Sequence, residues 1–234
     1  MTSLSIITVV KNDHENLRKT IRSLDAKIIG KKEHLIIVSR DSKKHNYYLE
    51  LQELYNIKVK IVDDIGIFSA MNIGILSAKG DYLWFMNAGD KFRGKLNVNE
   101  LDGLTLLPVK YVDFRGVEKV VKLRKGLKYG MPYCHQGLIY RNSTLLYDEK
   151  VPFGADYSYT LNYFFRYGFR FKMLISGMVT YDTNGTSSVN RAQSDKYSAI
   201  VVRKHFGAFY YHMFMIRSKA KLMIKKLWYL AKGT

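Results

Sequence analysis

The feature that most constrains the fold is an alternation of strand and helix signals through the N-terminal part of the chain. Leu4 to Val10 is an apolar, β-branched run, and Asn16 to Ile28 follows with Leu17, Ile21, Leu24 and Ile28 at helical spacing before a stop at Gly30. His34 to Val38 is then extended, Tyr47 to Tyr55 helical and Ile57 to Val62 extended. Phe68 to Ala78 is helical and closed by Gly80, and Asp81 to Met86 is extended again. Continuous apolar strands are buried on both faces, and parallel strands need a crossover helix, so this stretch predicts a doubly wound parallel sheet of α/β class.

In such a sheet a ligand lies beyond the carboxyl ends of the strands. The residues there are Thr8 to Asp13, Ser39 to Ser42, Asp63 to Gly66 and Asn87 to Asp90. They are polar or acidic in a chain whose 38 Lys and Arg outnumber 20 Asp and Glu, a net charge of +18. Carboxylates at a ligand edge suit a divalent cation or ribose hydroxyls better than a direct phosphate cradle. Beyond Asp90, Thr105 to Val109, Tyr111 to Phe114, Val117 to Leu123 and Gln136 to Tyr140 read as short strands of a mixed sheet that extends the first. Ala155 to Tyr167 and Arg191 to Phe206 read as helices, with Phe169 to Ile175 and Met178 to Tyr181 extended between them. No Pro-rich linker separates the halves, so residues 1–205 read as a single domain and 206–234 as its tail.

With 47% hydrophobic residues the chain is a folded globular one. Cys134 is the lone cysteine, which fits a reducing, cytoplasmic location. The strand-like start lacks the pattern of a signal peptide. The best apolar run, Phe206 to Ile216, falls short of the ~18 to 20 residues that cross a bilayer. The histidines show no zinc-ligand spacing, and Cys134 beside His135 on an extended strand would point to the opposite face, against a Cys-His dyad.

The densest signal runs from Asp64 to Asp90, DIGIFSAMNIGILSAKGDYLWFMNAGD. It resembles the family 2 glycosyltransferases, in particular a bacterial polysaccharide subgroup with segments like GIYDAMNKGI and NSGD. SIITVVKN at Ser5 to Asn12, MPYCHQG at Met131 to Gly137, GADY at Gly154 to Tyr157 and GTSS at Gly185 to Ser188 resemble further family segments in the same order. The resemblance covers residues 3–205. It implies a GT-A fold, a nucleotide-diphosphate sugar donor such as a UDP-sugar, Mn²⁺ or Mg²⁺, and inversion at the anomeric carbon.

Carried over by position, Asp90 matches the last acid of the metal-binding turn, with Asn87 where many relatives have Asp. Thr8 and Asn12 match the first nucleotide-contacting strand end, Asp64 a donor-loop acid and Asn72 a helix Asn bordering the nucleotide. Ser39 stands where relatives carry the base-contacting Asp, with Asp41 two residues on, and Ser69 stands where the family's GIYDAMN has Asp and can cap that helix. Asp156 matches the catalytic base, and His135 and Gln136 match an HQ pair assigned to acceptor or diphosphate contacts.

From Phe206 onward aromatic and aliphatic residues interleave with Arg217, Lys219, Lys221, Lys225, Lys226 and Lys232, without an acid. This composition suits a helix in an anionic membrane interface. Together with the resemblance it places the protein on the inner face of the cytoplasmic membrane, acting on a polyprenyl-diphosphate-linked glycan. Two alternatives compete. A nucleic-acid-binding protein would use the +18 charge but has no recognised motif, and the acid-bearing ligand edge argues against it. A catalytically silent scaffold is the other, suggested by Ser39 and Ser69.

Overall fold

The computed structural model describes residues 1–63, 66–112, 117–123, 126–168, 170–182 and 191–231, with backbone alone for 182, 191–192, 221–222 and 224–231. Asp64 and the GTSS segment lie outside the described residues. The first half is β1 (Ser3–Val10), α1 (His14–Leu24), β2 (Ile28–Ile29), β3 (Lys31–Ser39), α2 (His45–Tyr55), β4 (Lys58–Val62), α3 (Ile67–Ser77), β5 (Tyr82–Phe85), β6 (Lys91–Gly94) and β7 (Leu96–Asn97). The second half is β8 (Leu104–Leu106), β9 (Val109–Val112), β10 (Glu118–Val120), β11 (Leu138–Arg141), α4 (Ala155–Tyr167), β12 (Phe171–Met173), β13 (Gly177–Asp182), α5 (Arg191–Phe206) and α6 (Ala208–Ala231).

The main sheet has seven strands in the order β12-β8-β11-β5-β1-β3-β4. β1, β3, β4 and β5 run parallel, as the alternation predicts, and β11 enters antiparallel beside β5 and β8. Its core carries the fully buried Ile6, Ile7, Ile37, Trp84 and Phe85. α3 lies close against β1: a Cβ added at Gly74 would come 2.5 Å from the Ile7 side chain.

The expectation of one extended mixed sheet is only half met. β8, β11 and β12 do extend the main sheet, but β10-β9-β13-β6 form a separate four-stranded sheet. Pro108 marks the division, because a proline cannot donate to a strand ladder. Leu107 still donates to Gly137 O in the main sheet, whereas Pro108 O accepts from Val179 of β13 in the other. The run Thr105 to Val109 is thus split between the two sheets.

The C-terminal helices form a third cluster. Phe214 of α6 is buried with Tyr157 and Leu161 of α4 and with Ala199, Val201 and Val202 of α5. Lys128 donates to the Tyr210 hydroxyl at 2.8 Å, Arg217 lies over the Tyr129 ring at 4.9 Å, and Ser218 donates to Asp195 at 2.6 Å. The first turns of α6 are therefore packed structure, not a loose tail. Its opposite face is uncovered: Phe209, Met213, Ile216 and Met223 are 69, 43, 63 and 64% exposed. Their four-and-three spacing places them on one stripe. No described helix is long and apolar enough to cross a membrane.

Candidate functional site

The turn after β5 carries Asn87 to Asp90. Asp90 is 1% exposed, and its Oδ2 accepts the Asn87 N–H at 3.0 Å while its own N–H donates to Asn87 O at 3.1 Å. Gly89 takes φ +103°, a left-handed conformation that a side chain would strain. Helix α1 buttresses this turn from below. Thr20 Oγ1 accepts from Gly89 N at 2.9 Å and faces Asn87 O at 3.2 Å, and Ser23 Oγ accepts from Phe92 N at 2.9 Å. Thr20 and Ser23 position the turn, and only their place at i and i+3 on a helix face hinted at it.

The loops after β1 and β3 meet at the same edge. Asn12, at φ +57°, donates its N–H to Ser42 Oγ at 3.3 Å and accepts from Lys43 N through Oδ1 at 2.7 Å. The structure thus brings Asn12 to the Ser39–Asp41 loop. Within it the buried Ser39 hydroxyl has no hydrogen-bond partner among the described residues, and Asp41 is an exposed acid 4.0 Å from Lys11. Ser42 clasps the two loops, and the sequence marks it only as the end of the strand-end stretch Ser39 to Ser42.

Thr8, by contrast, is fully buried and shares a 2.9 Å hydrogen bond with His34 Nε2, so its side chain is turned into the core. Burial and the Lys32 charge lower the His34 pKa to about 3. Ser69 does not cap α3: Gly66 occupies that position at φ +86°, and Ser69 lies inside the helix.

Asn72 links two distant segments. It is 5% exposed, and its amide spans to a segment far along the chain: Nδ2 donates to Tyr147 O at 3.0 Å and Glu149 Oε1 at 2.8 Å, and Oδ1 accepts from Tyr147 N at 2.8 Å. These bonds tie α3 to the segment ahead of α4.

The far wall is built by α4. Asp156 stands in its first turn, behind Gly154 at φ +80°, with Oδ1 accepting from Tyr157 N at 2.8 Å. Thr160 donates to Asp156 O at 2.8 Å, and because a hydroxyl has one proton, Tyr140 must donate to Thr160 at 2.8 Å. The Tyr140 oxygen then receives the Nδ1 proton of His135 across 3.5 Å, leaving His135 Nε2 to accept from Tyr147 at 2.8 Å. The chain of bonds assigns a neutral, Nδ1-protonated imidazole. Burial lowers the His135 pKa in agreement, with Asp156 pulling the other way. His135 is stacked on Phe85 with centroids 5.1 Å apart.

Gln136 is likewise 7% exposed, its Oε1 accepting from the Cys134 thiol at 3.0 Å and its backbone oxygen from Trp84 Nε1 at 2.7 Å. The short helix His135–Gly137 buries both side chains of the HQ pair, where they bond neighbouring protein groups.

Cys134 joins the two acids. Burial pushes its thiol up to about 12, and the Asp90 and Asp156 carboxylates add in the same direction. Both acids therefore lie within electrostatic reach of one sulfur. The thiol bonds Gln136 and not His135, so no Cys-His dyad forms. Among the described residues no group of three or more His, Cys, Asp or Glu could hold a metal by itself. Asp90 would supply one carboxylate to a divalent cation, and its Oδ2 already accepts the Asn87 N–H.

A parallel half-sheet with acids at its carboxyl edge and an antiparallel extension invites comparison with known proteins. Residues 5–94 match the family model for glycosyl transferase family 2. The matched stretch runs from β1 through the Asn87–Asp90 turn to β6. Two proteins from two strains of Mycobacterium tuberculosis, each named an uncharacterized glycosyltransferase, are 34% identical over 93 residues, 39% of this chain. Those residues are 36% of either relative, so the chain aligns with little more than a third of their length.

The crystal structure of S. aureus TarS in complex with UDP is similar over 92% of this chain and 71% of that one, at 15% identity and a TM-score of 0.62. Its complex with UDP-GlcNAc is similar over 86% of this chain and 65% of that one, at 17% identity and 0.62. The fold is a mixed α/β sheet of the GT-A glycosyltransferase kind.

Proposed function

We propose that this chain is an inverting glycosyltransferase that moves a hexosyl or N-acetylhexosaminyl group from a nucleotide-diphosphate sugar to a hydroxyl of a lipid-linked glycan in bacterial surface polysaccharide synthesis. The observation that carries the reading is the buried Asp90 in the turn after β5, at the carboxyl edge of the parallel strands and inside the stretch that matches the family model. The family match across residues 5–94 supports it, as does the likeness to TarS, solved with UDP and with UDP-GlcNAc, which favours a UDP-sugar donor.

Inversion is an in-line displacement. The acceptor O–H gives its proton to the Asp156 carboxylate as its oxygen attacks the anomeric carbon, and the bond from that carbon to the diphosphate breaks. Thr160, Tyr140 and His135 fix the first turn of α4, and with it the backbone that carries Asp156. Mn²⁺ or Mg²⁺ held by Asp90 with the donor phosphates would supply positive charge against the growing charge of the leaving group. The joined loops at Asn12, Ser39 and Asp41 form the edge available to the base and ribose.

The uncovered stripe of α6 supports placement on an anionic membrane surface at the cytoplasmic face. Phe209, Met213, Ile216 and Met223 offer the apolar face, and the chain from Lys196 to Thr234 carries cations without a single acid. Two such faces from separate copies would repel each other, whereas anionic head groups attract them. The test is a thermal-shift screen of nucleotide-diphosphate sugars with and without Mn²⁺, followed by transfer assays with a polyprenyl-diphosphate acceptor. A metal-dependent upshift with one donor class is expected. No upshift with any nucleotide sugar would sink the reading.

A further inference from the structure

Between the last turns of α4 and α5 an open recess of about 520 Å³ is lined by Leu145, Asn162, Phe165, Arg166, Lys204 and His205. His205 is held in place: its ring lies on Phe165 at 5.7 Å with planes 6° apart, and Nε2 is 3.4 Å from Ser158 Oγ. Lys204 reaches one acid, Asp148, at 3.4 Å. Arg166 bonds the neutral Thr144 hydroxyl at 3.2 Å, and no carboxylate pairs with it among the described residues. A planar guanidinium, an ammonium and an imidazole on one concave wall, with a single acid against them, form a donor set that matches phosphate oxygens.

We infer that this recess binds a phosphate group. Its position suggests whose phosphate. Arg166 follows Asp156 by ten residues on the same helix, an axial rise of about 15 Å. The other rim passes through Phe206, whose ring is 5.8 Å from Phe165, into α6 and its uncovered stripe. The recess therefore adjoins both the far end of the helix that carries the proposed base and the start of the proposed lipid-facing helix. In that reading, on which this assignment rests, it holds the phosphate of the acceptor while the sugar extends toward Asp156. An anionic lipid head group offers the same chemistry from a second source.

The test is titration of inorganic pyrophosphate into the full chain labelled with ¹⁵N-histidine. The His205 imidazole resonances are expected to shift toward those of the protonated ring, because a bound anion opposes the burial and the Lys204 charge that lower its pKa. His34 and His135, both in the core, should not move. Arg166→Glu combined with Lys204→Glu should weaken the response at least about tenfold while leaving the thermal upshift by donor sugar intact. Unmoved His205 resonances, or equal affinity in the double variant, would overturn the site. Because donor binding is read separately, that result differs from failure of the glycosyltransferase reading. Competition by phosphatidylglycerol vesicles, but not by phosphatidylcholine vesicles, assigns the site to lipid head groups; its absence assigns it to the acceptor diphosphate.

Discussion

The Asn72 side chain and the Tyr147 backbone form a reciprocal pair: the amide donates to Tyr147 O at 3.0 Å and accepts from Tyr147 N at 2.8 Å, from 75 residues away. Tyr147 in turn bonds His135 and stacks on Tyr159 of α4 at 4.5 Å. One amide on α3 thus sets the segment on which the second wall of the site is built.

Asn72→Ala should lose that tie and strand buried backbone groups, destabilising the fold by about 3 kcal/mol. Asn72→Asp keeps the acceptor but sets a charge beside Glu149, 2.8 Å away in the native pair, so it should fare no better. Urea unfolding reads both, and a loss under about 0.5 kcal/mol would refute the tie.

Asp156→Asn preserves the shape of the first turn of α4 and removes the proton acceptor. Transfer should fall by about 10² to 10⁴ in kcat, the usual contribution of a general base, with donor binding unchanged. A variant that turns over at the native rate would remove Asp156 from this role.

Asp90→Ala should weaken donor binding in the presence of Mn²⁺ by at least about tenfold, and leave metal-free binding nearly as it was. The comparison of thermal upshifts with and without Mn²⁺ checks it. Equal upshifts for variant and native protein would place the cation elsewhere.

Stability should fall on acidification through His34. Its folded pKa is depressed to about 3, against an ordinary value near 6.5, so the unfolded chain binds the extra proton between those values. The stabilisation is complete above about pH 6.5 and is lost at about 1.4 kcal/mol per pH unit as the pH drops toward 3. Between pH 7.5 and 5.0 the native protein should lose about 2 kcal/mol more than His34→Gln, which keeps a partner for Thr8. Parallel losses in urea melts would contradict this.

Ile216→Asp with Met223→Asp should abolish flotation with phosphatidylglycerol vesicles and change stability by no more than about 0.5 kcal/mol, since both side chains are exposed. Phe214→Ala should do the reverse, costing about 3 kcal/mol with flotation retained, because Phe214 is buried against α4 and α5. Removing everything after Phe206 is the poorer experiment, since it would strip that packing as well as the stripe.

Much of the parallel half was legible because its signals are local. Apolar runs such as Leu4 to Val10, helical spacing at Leu17, Ile21 and Leu24, and glycine stops follow from backbone sterics and burial, and their order dictates parallel pairing. Helices 155–167 and 191–206 were legible for the same reason. The second sheet was not, because its strands are short and β13, which joins β9 to β6, meets partners about 70 to 90 residues earlier in the chain.

The sequence by itself determined the α/β class, the acids at the strand ends, and the cation-rich, acid-free end of the chain. Only the tertiary structure decided what each polar side chain does. Asn72, His135, Gln136 and Thr8 are of types that bind ligands, and here they bond other side chains or the backbone, since a buried polar group must find a partner wherever the fold supplies one. For Thr8 and Asn72 the partners lie 26 to 77 residues away, and no local pattern encodes contacts over that distance.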